Sequence, residues 1–134
     1  MVDVVSSQTL LDGDRLAIFK FTNISDGTGE TNVDKIIVSN LAKNAYGQAC
    51  TGVKINKVWH STHGMEVRIQ FSASSPAFAW VLPQNTAYHQ DFASFGGLTN
   101  NAGAGKTGNV SFTTADASAG DMYSVVIECI KTYG

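Results

Sequence analysis

The sequence predicts an all-β chain: a single-domain antiparallel β-sandwich, jelly-roll-like, of about eight or nine short strands. Three observations lead there. Apolar and polar residues alternate with period two in several segments, the mark of strands with one buried face. No apolar stripe at helical spacing runs for a useful length. Turn residues, 13 glycines among them, punctuate the chain throughout, and short strands between regular turn signals suit a sandwich or barrel.

The elements follow in order. A first short strand is expected near Val2 to Ser6, within a segment, Met1 to Leu11, expected to be an assembly arm ordered by contacts with a neighbouring chain. Leu16 to Ile24 is apolar on both parities and reads as a central strand, ended by the turn Asp26-Gly27-Thr28-Gly29. Val33 to Val38 is a β-branched run. Leu41 to Gly52 is polar and reads as a long loop or one helical turn. Val53 to His60 and Met65 to Ser72 read as a hairpin joined by Ser61-Thr62-His63-Gly64, with Gly64 free to take positive φ. Met65-Glu66-Val67-Arg68-Ile69-Gln70-Phe71 alternates without a break. Phe78 to Leu82 is closed by Pro83, Leu98 to Gly108 is a Gly/Asn loop, Val110 to Thr114 is a strand, and Tyr123 to Ile130 is a buried strand. Trp59, Phe71, Phe78 and Trp80 are expected in the core. Tyr46, Tyr88 and Tyr133 fall at loop or terminal positions.

A chain of 134 residues makes one domain, 1–134, with no linker or repeat to divide it. Its apolar content of 43% excludes disorder, and its charged content is only 15%, against about 25% in average domains. Net charge is −2, with the nine Lys and Arg spread singly. That excludes the basic stripe of a nucleic-acid binder or an anionic-membrane binder. No run approaches the roughly 20 apolar residues of a membrane span. Met1-Val2-Asp3-Val4-Val5 has an early acid and no basic run, so it does not read as a signal peptide. Cys50 and Cys129 read as buried free thiols of a chain made in reducing cytosol.

Candidate chemistry is thin. Gly103-Ala104-Gly105-Lys106-Thr107-Gly108 has the tail of a phosphate loop, but the required first glycine is Asn100, and a strand pattern follows where a helix should begin. His60, His63 and His89 are the histidines. A small metal protein or enzyme would have to gather them, but zinc wants three or four ligands. The acids Asp12, Asp14, Asp26, Asp116 and Asp121 sit in turns, where Asp bonds its own backbone. Glu66 alternates outward, and Glu128 lies in the last strand, either paired or facing a partner. No nucleophile elbow is present. The reading is no enzyme, no cofactor, no metal and no catalytic residues. Phe92 and Phe95 lie in an irregular stretch, where they either plug the end of the sandwich or dock on a neighbour. With Asn100, Asn101, Tyr46 and Tyr133 they make the candidate interface set. A carbohydrate-binding jelly roll is the alternative, with Trp59, His60, Asn100 and Asn101 as its ring and polar groups.

Four blocks carry a resemblance covering most of the chain. They are Leu11-Asp12-Gly13-Asp14-Arg15, Val53-Lys54-Ile55-Asn56-Lys57-Val58-Trp59, the closing strand Tyr123 to Lys131, and the distinctive Asp91-Phe92-Ala93-Ser94-Phe95-Gly96-Gly97-Leu98-Thr99-Asn100-Asn101-Ala102-Gly103 with Gly105-x-Thr107-Gly108. In these the chain resembles small virion structural proteins of tailed bacteriophages, of the capsid decoration (cement) type. The resemblance implies a virion protein made in the host cytoplasm. Its implied partners are the major capsid protein and copies of itself, in a homo-oligomer for which a trimer is one option. A tail- or fibre-associated place in the same particle is the variant reading. His60 and His63 stand outside the pattern.

Overall fold

Nine strands form two antiparallel sheets in a computed structural model of the chain. It describes residues 4–27, 29–95, 97–100, 102–105, 107–115 and 117–133, without the side chains of Val4 and Phe95. The strands are β1 (Val4–Asp12), β2 (Leu16–Asp26), β3 (Val33–Ile36), β4 (Cys50–His63), β5 (Glu66–Phe71), β6 (Ala77–Leu82), β7 (Ala87–Asp91), β8 (Val110–Ala115) and β9 (Ala119–Tyr133). The larger sheet runs β1-β2-β9-β4-β7 and the smaller β3-β8-β5-β6.

Four of the pairs nest: β2 with β9, β3 with β8, β4 with β7, and β5 with β6. A long antiparallel ribbon rolled up so that its ends meet gives this arrangement, which is the jelly roll. β1 adds a ninth strand at one edge. Between the sheets lie Phe19 and Phe21 of β2, Val125 and Ile127 of β9, Ile69 and Phe71 of β5, and Phe112 of β8, each at most 5% exposed.

Several expectations change. The strands are not all short: β4 has 14 residues and β9 has 15. Register shifts near Thr51 and Asn56 bend β4 and let it stay paired over that length. Residues 53–60 and 65–72 are not a hairpin, because β4 and β5 lie in different sheets. The chain turns the corner at Gly64, whose φ is +81° and where a Cβ would run into the Asp121 carboxylate. Turn residues between two alternating runs therefore marked a sheet-to-sheet crossing.

Leu16 to Ile24 is central, but its burial alternates and Ile24 is 48% exposed. The run at Val33 leaves strand geometry after Ile36, and Val38–Asn40 is a 3-10 turn. The first strand extends to Asp12. From Val4 onward the expected arm is paired with β2 of its own chain, while Met1, Val2 and Asp3 lie outside the described residues. β7 was not foreseen, because Ala87-Tyr88-His89-Gln90-Asp91 is polar and exposed at a sheet edge. Tyr88 accordingly belongs to a strand. Phe71 lies in the core, and Trp80, partly buried, packs against that core. Trp59 and Phe78 are instead 37% and 59% exposed. Trp59 points outward from β4, and β6 is an edge strand with one side open.

Both cysteines are buried and free. Burial pushes the Cys129 thiol far up, with Cys50 and Glu128 adding to the effect, so it is inert as a nucleophile.

Candidate functional site

The candidate surface is the outward face of the five-stranded sheet, and register fixes what it presents. Successive side chains alternate faces, so residues paired across strands share one. Gln8, Lys20, Val126, Trp59 and His89 make one row across all five strands. Ser6, Thr22, Ser124, Ser61 and Ala87 make the next, uncharged and small throughout. A third row runs Leu11, Ile18, Glu128, Lys57 and Asp91. Ile24 pairs with Met122 at one end and Leu16 with Ile130 at the other.

The face mixes charged side chains with exposed apolar ones. Leu16, Ile24, Trp59 and Met122 are each at least 36% exposed. Its charges are partly tied among themselves. Asn56, the extra residue at the β4 bulge, donates to Glu128 at 2.6 Å, and Lys57 lies 4.0 Å from Asp91. Trp59 stacks on His89, ring centroids 6.2 Å apart.

The edge beside this face is short of charge. Residues 5–11 of β1 carry none, and Val5, Leu10 and Leu11 are 45–48% exposed. A nine-residue edge strand presents unpaired N–H and C=O groups for strand addition. A register shift at Leu10 blunts it. Under β1 a groove of about 350 Å³ opens between the sheets, lined by Val5, Ser7, Phe19, Phe21, Val33 and Lys35 among others.

No protein-family model and no curated protein matches this chain.

The interface set expected from the sequence is dispersed. Phe92 is 5% exposed and meets Trp80 edge-on, ring centroids 5.0 Å apart. It plugs the end of the sandwich and offers no contact surface. Its N–H donates to the Asn56 carbonyl, and Ile55 and Leu98 exchange two backbone hydrogen bonds, so Phe92 and Leu98 are both clamped on the β4 bulge. The Phe95 side chain and Asn101 lie outside the described residues. Asn100 accepts the Ala102 N–H at 2.9 Å and lines a separate, threonine-rich groove with Lys54, Thr107 and Thr132. Tyr46 is 90% exposed in a loop. Tyr133, half-buried, donates its hydroxyl to the Asp14 carbonyl.

The histidines are not gathered. His60 and His63 sit on opposite faces of β4. His60 is buried, with Nε2 at 2.8 Å from Thr86 Oγ1 and its ring edge-on to Tyr88. Its distance in parity from Trp59 also separates two of the groups expected to hold a sugar. Among the described residues no group of three His, Cys, Asp or Glu is placed to hold a metal ion. The 103–108 loop leads into β8, a strand, as the pattern required; Lys106 and Asp116 lie outside the described residues.

Two buried polar clusters were missed. Lys131, its side chain 0% exposed, donates to Asp12, to the Gly13 carbonyl and to the Ala42 carbonyl at 2.6–2.8 Å. Burial alone would raise the Asp12 carboxyl, but the Lys131 ammonium and the Ala42 N–H outweigh it and hold it below its usual value. Burial would likewise lower Lys131, and Asp12 and Tyr133 more than reverse that. The second cluster joins Asn23, Glu30, Lys35 and Tyr123 between the sheets. A signal for it existed: Asn23 falls on the inward parity of β2, between Phe21 and Ser25, where an apolar residue is the norm.

Proposed function

We propose that this chain is a structural virion protein of a tailed bacteriophage, decorating and stabilising the capsid shell by contacts with the major capsid protein and with its own copies. The observation that carries the proposal is the outward face of the five-stranded sheet. It exposes Leu16, Ile24, Trp59 and Met122, is crossed by an uncharged Ser/Thr row, and adjoins an edge strand that carries no charge over residues 5–11. Such a surface suits many modest contacts repeated by symmetry, whose strengths combine. The sequence resemblance points the same way. The low charge of the chain agrees with a protein that lives packed against neighbours.

The test is co-expression with the major capsid protein of the same phage, followed by sedimentation of assembled shells. The expected result is co-sedimentation in on the order of a hundred copies per shell, as symmetric decoration requires. Protein left in the supernatant above intact shells overturns the proposal. A second reading, a carbohydrate-binding module of a tail or fibre, draws on the exposed Trp59 ring stacked on His89. Glycan binding that is lost in Trp59→Ala, without shell binding, decides for it.

A further inference from the structure

We propose that Lys35 and Asn23 become joined by an intramolecular isopeptide bond, formed inside the sandwich with Glu30 carrying the protons. The inference is independent of what the outer face binds.

Three side chains converge from three places. Asn23 comes from β2 in the larger sheet and is fully buried. Lys35 comes from β3 in the smaller sheet, and Glu30 from the segment between them. The Lys35 and Glu30 side chains are 5% and 6% exposed. Glu30 holds both reactants on one carboxylate: Oε2 accepts from Lys35 Nζ at 2.5 Å, and Oε1 accepts from Asn23 Nδ2 at 3.2 Å. The Tyr123 hydroxyl donates to the same Oε1 at 2.6 Å. The Glu30 backbone is pinned to Thr114 of β8 by its N–H and its carbonyl. The Phe112 ring lies 5.9 Å from Nζ and meets Phe21 and Tyr123 edge-on. An amine, a carboxamide and a carboxyl are thus held together in an aromatic-walled site.

Those are the parts of a transamidation. Taking an ammonium and a carboxylate out of water is costly, and passing one proton from Nζ to Oε2 removes both charges. The neutral amine then attacks Asn23 Cγ, with the flexible end of the lysine chain making the approach. The bond formed is Nζ–Cγ and the bond broken is Cγ–Nδ2. Of the three protons on the Lys35 ammonium, one stays on the new amide, one completes the departing ammonia, and one remains on Glu30. Nothing is oxidised or reduced. Glu30 touches both nitrogens, so it can take a proton at one oxygen and return one at the other, as general acid–base catalysis requires. Proximity supplies the rest of the rate. Lys35 also lines the groove under β1, which gives ammonia a way out. The product staples β2 to β3, one strand from each sheet.

The test is the intact mass of the denatured full chain. The expected value is about 17 Da below the sequence mass, the mass of ammonia. Trypsin, which has no Lys or Arg to cut between Lys20 and Lys35, should leave Lys35 uncut and release Phe21 to Lys43 as one lightened peptide. Glu30→Gln should stay at full mass. Asn23→Asp, condensing with loss of water, should be lighter by about 18 Da. A wild-type chain that melts cooperatively yet has its full sequence mass overturns the proposal. So does the lighter mass with normal cleavage after Lys35, which would mark a cyclic imide. An unchanged bond in Glu30→Gln overturns the role of Glu30.

Discussion

His60 Nε2 sits 2.8 Å from the Thr86 hydroxyl, and this contact ties β4 of the larger sheet to the turn that brings the chain back from the smaller one. Thr62 strengthens the same joint by donating its hydroxyl to the Pro83 carbonyl at 2.6 Å. Among the described residues Nδ1 of His60 has no hydrogen-bond partner, so the ring is held from one side.

Stability should therefore fall in mild acid. Burial disfavours the imidazolium and lowers the His60 pKa below 6.5 in the folded chain. The unfolded chain takes up that proton as pH drops through about 6.5, while the folded chain does not until lower pH. Stability is highest above this range, declines below it, and levels off only beneath the folded value. Urea midpoints measured between pH 8 and 5 should show the decline, and His60→Gln should flatten it. An equal slope in that variant would assign the effect elsewhere.

Lys131→Met should be severely destabilising, by about 3 kcal/mol, because it leaves Asp12 and two carbonyls without their shared donor. The pair also sets pH limits. The stability from the lowered Asp12 carboxyl is present above about 3.8 and is lost as pH falls through its folded value. That from the raised Lys131 is present below about 10.5 and is lost as pH rises through its folded value. Denaturant titrations of the wild type and Lys131→Met at pH 7 and pH 3 check the acid limit: the gap between them should narrow in acid.

Gly108→Ala should cost more than about 1 kcal/mol. Gly108 has φ +86°, and an added Cβ would run into the Thr51 carbonyl oxygen, a backbone atom that cannot swing aside. Gly103→Ala in the same loop, where nothing lies within 4 Å of the new atom, is the control. Equal melting temperatures for the two variants would refute the close approach.

Met122→Lys on the outward face should leave the melting temperature of the isolated chain within the range of ordinary surface changes, about ±0.5 kcal/mol. It should abolish co-sedimentation with shells. Retained binding would move the contact to another surface.

The strands were legible where one parity was apolar. Met65, Val67, Ile69 and Phe71 all proved buried, because alternation directly encodes a half-buried strand. β7 was illegible because both of its faces are wet, so no alternation is imposed on it. The 64-turn misled for another reason: positive φ serves a hairpin and a crossing between sheets alike, and only the pairing partners separate them. Trp59 was misassigned to the core because size and hydrophobicity do not reveal parity across a bulge. Of the expected interface residues, Phe92 was spent inside the fold. The Lys35–Glu30–Asn23 cluster escaped because its members come from two strands and the segment between them.

The nesting of the strands has a consequence in time. β9, the last strand, lies between β2 and β4 in the larger sheet. During synthesis the β1–β2 hairpin emerges first, but its inner neighbour is made about a hundred residues later, and pairings so distant in sequence are slow to form. Until β9 arrives, the apolar sides of β2 and β4 have no strand between them and are open to other chains. Loss of the final strand should thus yield aggregated protein rather than a smaller sandwich.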